Sequence, residues 1–215
     1  MFSLSTFFES FYPLVLAARY TILVSGLGIA VGLVIGALIC VASLSKSRGL
    51  RRFAAIWVSY LRGVPMLVQL LLVFYLLPVI GLDVPAIVAA VGTVAIVASA
   101  YISEIWRGAI NALPKGQAEA AVAIGMSPGD VWRRVILPQA VSLSLPALVN
   151  ELILLVKASS LVSVVGIMEI TRASQAEAAN TFRPLEVYLA AACIYLAINL
   201  CLALLGRYLE HRMAV

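Results

Sequence analysis

The chain has 215 residues, of which 63% are hydrophobic and only 12% charged, and its mean hydropathy is +1.08. Soluble domains average about 45–50% apolar and about 25% charged residues, so too few polar side chains are present to wet a globular surface, and the same excess of apolar residues excludes disorder. The net charge of +5 sits between apolar stretches rather than along one face, which fits orientation signals in a bilayer and argues against a nucleic-acid-binding stripe.

A spanning helix needs about 20 mostly apolar residues. Five stretches qualify: Pro13–Leu44, Phe53–Val79, Val84–Trp106, Val141–Val165 and Val187–Leu205. The first is too long for a cleaved signal peptide and lacks a basic n-region. Within it, Gly28, Gly32 and Gly36 form two overlapping G-x-x-x-G steps on one helix face, a pattern that predicts close approach of another helix. Cys40, Cys193 and Cys201 all lie in apolar runs, against a disulfide framework. The single histidine, His211, lies next to the end, against a histidine metal site or a Ser-His relay.

Lys46, Arg48, Arg51, Arg52 and Arg62 follow the first span, Arg107, Lys115, Arg133 and Arg134 the third, and Arg207 and Arg212 the last. Only Arg19, Arg172 and Arg183 fall on the other side. Positive-inside placement then predicts an outside N-terminus and a cytoplasmic C-terminus. The expected fold is an all-α integral membrane protein of five transmembrane helices, one transmembrane domain over residues 1–215. No internal repeat is visible, and an odd helix count fits poorly with two inverted halves, so a path across the membrane is expected to need a second subunit.

The connection 107–139 is too polar to span yet organised. A helix is predicted over Gln117–Ile124, ended by Gly125. Ser127, Pro128 and Asp130 then read as an N-cap, a first-turn proline and an acid at the third helical position. A second short helix carries Val131, Trp132 and Val135 on one side and Arg133 and Arg134 on the other, with Leu137-Pro138 expected to end it. Two short helices around a sharp turn suit a grip by something in the cytosol.

Glu119-Ala120-Ala121, Gly125, Val135 and Leu137-Pro138, at these spacings, resemble the EAA motif of ABC importer permeases, in which Ile is usual at the place of Val135. Arg62-Gly63-Val64-Pro65 (Thr is common where Val64 stands), Leu67-Val68-Gln69-Leu70, Tyr101, Glu104, Arg107-Gly108-Ala109-Ile110, Pro114 and Gly116-Gln117 extend the likeness. So do Gln139-Ala140, Pro146, Asn150 and Lys157-Ala158-Ser159-Ser160-Leu161. Together they resemble the histidine/glutamine-type, polar amino-acid branch. The resemblance implies a MetI-like type I importer fold in a bacterial inner membrane and a transport subunit rather than an enzyme. It also implies that residues 107–139 hold a coupling helix for a cytoplasmic ABC ATPase dimer. Glu119, Ala120 and Ala121 would make that contact and Gly125 the turn presenting it; otherwise Glu119 is a solvated charge on a short surface helix. The chain has no G-x-x-x-x-G-K-[ST] phosphate loop, so ATP and Mg would be bound by the partner ATPase and no cofactor by this chain. The other implied partners are a second permease subunit, a copy or a relative, an extracytoplasmic solute-binding protein, and a small amino-acid-like substrate.

Charges inside spans cost about 2.5–3.5 kcal/mol even on lenient insertion scales and are functional candidates. Glu151 lies ten residues past Val141, roughly 15 Å deep and so about mid-bilayer. Asn150 and Lys157 share one helix face. An amino acid needs an acceptor for its ammonium, for which Glu151 is suited, and a donor for its carboxylate, for which Lys157 or backbone N–H groups freed near Pro146 are suited. Gln69 is a further substrate-path candidate. The alternative is that these groups satisfy each other or a neighbouring helix. Many family members carry an acid where Ala158 stands, so one cation contact is absent here.

Gly125–Gly129 formally matches G-x-S-x-G, but the motif needs a strand-to-helix turn and a placed histidine, and a hydrolase is rejected. The rival function is a channel or ion-coupled secondary transporter, separable by ATP dependence. A structural scaffold is a third reading, which measurable solute uptake excludes.

Overall fold

In a computed structural model, which describes residues 2–213, every regular element among the described residues is helical. A short α1 (Leu4–Glu9) leads into the long α2 (Phe11–Leu44). After it come α3 (Arg48–Gly63), α4 (Met66–Val79) and α5 (Ala86–Ala112). The polar connection holds α6 (Lys115–Ala123) and α7 (Pro128–Asp130), the latter running through a π-helical stretch, Val131–Ile136, into α8 (Leu137–Ala158). A 3-10 stretch, Ser159–Val165, precedes α9 (Ile170–Thr181) and α10 (Pro184–Met213).

Four helical runs are long and apolar enough to cross a membrane: Leu4–Leu44, Ala86–Ala112, Pro128–Val165 and Pro184–Met213. The stretch expected to form one span over Phe53–Val79 is instead two helices, α3 and α4, meeting at 104°, and the count of five holds with this bent pair taken as one broken span. The cause is local. Pro65 disfavours helical backbone at the residue before it, and Val64 is extended at φ −103°, ψ 132°. The carbonyls released by the break are taken up by Gln69, whose Nε2 donates to Leu61 O at 2.9 Å and Val64 O at 2.8 Å.

The glycine steps of α2 pack on α5. A Cβ at Gly28 would lie 2.5 Å from Val94 Cγ1, and one at Gly32 would lie 2.6 Å from Ala98 Cβ and 3.0 Å from Ala95 O. At Gly36 it would meet Ile102 and the Ser99 carbonyl. The missing side chains let the two backbones approach to contact. Around this seam Val24, Leu70, Val94, Val162 and Val165 form one buried cluster, and Ala98, Ile102 and Leu155 extend it to α8. Trp57 of α3 joins α5 by donating from Nε1 to Ser99 Oγ at 3.0 Å.

Leu137-Pro138 does not end the second short helix, contrary to expectation. Leu137 N–H donates to Trp132 O, five residues back. Pro138 falls in the first turn of α8, where a missing N–H is tolerated. The helix therefore continues from Pro128 to Ala158 through one widened turn.

At the opposite end of the bundle a polar knot joins α2, α9 and α10. Glu169 is fully buried. Its Oε1 caps α9 by accepting Arg172 N–H at 2.8 Å, and its Oε2 accepts the Tyr195 hydroxyl at 2.8 Å. Tyr195 Oη lies 3.1 Å from Thr171 Oγ1, and Ile170 N–H donates to Thr21 Oγ1 at 3.3 Å. Burial pushes the Glu169 carboxyl up from its ordinary value, against the hydrogen bonds from the backbone and Tyr195, which favour the charged form.

Candidate functional site

Two regions carry the residues singled out in the sequence. In the first, α6 ends in a left-handed glycine. Gly125 has φ +85°, a conformation favoured only by glycine. Its N–H donates to Val122 O at 2.9 Å, and Met126 N–H donates to Ala121 O at 3.1 Å, the paired bonds of a Schellman C-cap. Ser127 then starts α7, accepting Asp130 N–H at 3.2 Å, with Pro128 in the first turn. Helix, turn and cap thus follow the spacing read in the sequence.

Ala121 is buried where α6 packs on the π-helical stretch, whereas Glu119 and Ala120 are exposed. Two residues the sequence reading passed over stand beside them. Val122 and Ile124 are 59% and 80% exposed, so the turn presents an apolar tip next to an acid. Their signal was an apolar pair in a helix otherwise too polar to need one.

The second region is the face of α8. Leu143, Ala147, Asn150, Leu154 and Lys157 form one exposed stripe at the alternating three- and four-residue spacing of a helix face. Polar Asn150 and charged Lys157 on an exposed face of a span are costly against lipid and mark a face turned to protein or water. Glu151 is half-buried beside the stripe. Among the described residues no ion pair joins Glu151 to Lys157, so these two do not satisfy each other. Gln69 is remote from solvent, 3% exposed, and its amide nitrogen is committed to the α3–α4 break, while its Oε1 has no partner.

One further charge was read from the sequence as an orientation signal and as part of the Arg62–Pro65 resemblance. Arg62, in the last turn of α3, lies 3.9 Å from Glu104 Oε2, with its guanidinium carbon 5.3 Å from the centre of the Tyr101 ring. Glu104 is held by Arg107, which donates from Nε to Oε1 at 2.8 Å and from Nη2 to Oε2 at 2.7 Å. The sequence signal of Arg62 was its position, three residues ahead of the helix-breaking Pro65. Charges of both signs beside an exposed polar stripe suit the passage of a small polar solute, whereas the glycine seam is a dry contact.

Comparison with known proteins agrees on the type of molecule. The family model for the binding-protein-dependent transport system inner membrane component matches residues 13–215. The chain is 39% identical over 204 residues to the glutamine transport system permease protein GlnP of Escherichia coli (strain K12), covering 94% of this chain and 93% of that protein. The crystal structure of an amino acid ABC transporter with histidines superposes with a TM-score of 0.91 at 33% identity, over 99% of each chain. The MetNI methionine ABC transporter, in an inward facing conformation, shares the fold at a TM-score of 0.71 and 21% identity, over 91% of each chain.

Proposed function

The chain belongs to the family of binding-protein-dependent transport system inner membrane components, and from that premise we infer the working parts of the importer it serves. It is a multi-pass, MetI-like ABC importer permease for a polar amino acid, a transport subunit and not a catalytic enzyme. The substrate is glutamine or a closely related zwitterion, in keeping with the glutamine permease among its relatives. ATP and Mg bind to a separate cytoplasmic ATPase pair, and a second permease subunit covers the exposed polar stripe of α8. A solute-binding protein docks at the α9 end, which faces outward together with the N-terminus, and α6 and the C-terminus face the cytoplasm.

The observation that carries this reading is the presented turn. Glu119, Ala120, Val122 and Ile124 stand exposed on a helix whose other side is anchored through Ala121 and whose end is fixed by Gly125. An acid flanking an apolar tip suits a cleft on the ATPase. Glu119→Arg reverses the charge at an exposed position, leaves the membrane fold alone, and should reduce ATP-driven uptake at least tenfold with loss of ATPase association or of its stimulation by substrate. Wild-type uptake and stimulation in that variant would defeat the assignment. Uptake that persists without ATP in reconstituted vesicles would instead favour the channel or secondary-transporter reading.

A further inference from the structure

The reversal between α9 and α10 is made in two residues, Phe182 and Arg183, since α9 ends at Thr181 and α10 begins at Pro184. So sharp a turn after a helix calls for a left-handed residue, and glycine usually supplies it. Here Phe182 takes that conformation, at φ 55° and ψ 27°. Among the described residues it is the only non-glycine with a positive φ. A bulky side chain is disfavoured there, and a turn shaped for stability alone would carry glycine or asparagine.

Packing does not account for the phenyl ring either. Phe182 is 88% exposed, more than any other large hydrophobic residue among those described. Its neighbours, by contrast, are tied down. Thr181 Oγ1 donates to Glu177 O at 2.8 Å within α9, and the Arg183 carbonyl accepts Val187 N–H at 3.3 Å in the first turn of α10. Arg183 Nη1 donates to Glu186 Oε1 at 3.2 Å, and the same oxygen accepts Ser3 N–H at 3.0 Å from the start of α1. Helices α1, α9 and α10 thus brace the tip, and the ring stands on a fixed base. A backbone outlier held by its surroundings, with a side chain unused inside the chain, points to a task outside it.

The surroundings favour protein over lipid as the partner. Arg172, Gln175, Ala176, Ala179 and Asn180 are exposed and share one face of α9. A cation, two amides and two methyl groups are covered by water or protein at less cost than by hydrocarbon. An aromatic ring beside a polar rim is the usual anchor of a protein interface.

We propose that Phe182 is the docking anchor for the solute-binding protein, its ring entering an apolar recess on that protein while the polar face of α9 forms the rim. The proposal rests on the importer reading above, in which this end of the molecule faces outward. A phenyl ring has only two side-chain torsions to fix, and a turn already braced has little further freedom to lose on binding.

The test uses the complex of this chain with its ATPase and second permease subunit in lipid nanodiscs. The probe is the solute-binding protein that sustains ATP-driven amino-acid uptake by the wild-type complex, saturated with that amino acid. Phe182→Gly and Phe182→Asn should each weaken its binding about tenfold or more, while Phe182→Tyr should stay within about threefold of the wild type. The glycine and asparagine variants should melt no lower than the wild type, because both residues fit a left-handed backbone better. Basal ATP hydrolysis without the binding protein should be unchanged in all three. A structural role predicts the opposite pair of results, lower melting with unchanged affinity, and that outcome overturns the proposal. If affinity is unchanged and melting falls in nanodiscs but not in detergent, the ring is seated in the outer leaflet and the proposal is equally overturned. If no solute-binding protein sustains uptake by the wild type, the importer reading falls and the proposal with it.

Discussion

The contact between α2 and α5 and the open face of α8 are both built on bilayer-spanning helices, yet they use opposite means. The seam removes side chains: Gly28, Gly32 and Gly36 sit against Val94, Ala98 and Ile102 with no room for a methyl group. The α8 face retains polar side chains and leaves them uncovered, with Asn150 and Lys157 exposed and Glu151 half-buried. In hydrocarbon there is no hydrophobic drive between helices, so close packing must hold the bundle together, while polarity is tolerated only where protein or water meets it. The difference separates a closely packed seam from a face left open to protein or water.

The largest expected effect comes from filling the seam. Gly32→Ala places a methyl against the Ala98 side chain and the Ala95 backbone carbonyl, neither of which can swing aside, and should cost about 1–3 kcal/mol. Gly32→Leu should yield no folded protein. Gly26, on the same helix, has open space for a Cβ, so Gly26→Ala should shift stability by less than about 0.5 kcal/mol. Thermal melting in detergent decides between them. Equal losses at both positions would mean that helix propensity rather than the seam is being measured.

The α8 face should behave in the reverse manner. Glu151→Gln keeps shape and removes charge. A hydrogen bond to a charged group contributes about 1.5–3 kcal/mol, so uptake should fall about tenfold or more while yield and melting temperature stay near the wild type. A drop in stability with per-molecule transport preserved would assign Glu151 to the scaffold.

Much of this contrast was legible in the residues. The glycine spacing announced the seam, and its partner became visible only in the fold, because many α5 residues are equally small and apolar. The helix–turn–helix of the connection was readable because Gly125, Ser127, Pro128 and Asp130 act locally, through φ and capping. The bend after Arg62 was not read, since hydropathy runs on across Val64-Pro65. Leu137-Pro138 misled in the opposite sense, because a proline in a first turn and a proline after a last turn look alike without the π-helical bond behind them. The pairing of Arg62 was hidden for a related reason: hydropathy carries the Phe53–Val79 stretch straight through it, and its place beside Tyr101 and Glu104 became visible only in the fold.

A smaller effect than those at Gly32 and Glu151 is expected in the Glu169 knot, where a buried carboxyl serves packing. Burial raises the folded-state pKa of Glu169 above its ordinary value. Its contribution is therefore fully present below the ordinary carboxylate pKa and is lost as pH rises through the raised value. Glu169→Gln replaces the acceptor of the Tyr195 hydroxyl by a group that does not titrate, at a cost of about 1 kcal/mol. The gap in melting temperature between wild type and variant should be widest below the ordinary carboxylate pKa and narrow as pH rises through the raised one. A gap that grows as pH rises would show that the hydrogen bonds to the charged form outweigh burial.

The widened turn at Val131–Ile136 has a consequence for angular register. Compared with an unbroken α-helix it accommodates one additional residue per turn, and each residue of an α-helix advances about 100° around the axis. The α6–α7 module and the α8 stripe are thus clocked against each other by a single residue. Closing the turn to ordinary α geometry would swing every side chain from Leu137 onward by roughly a quarter of a revolution relative to α7, turning Asn150 and Lys157 together to a different direction. The π turn sets which way the polar face of α8 looks relative to the α6–α7 module.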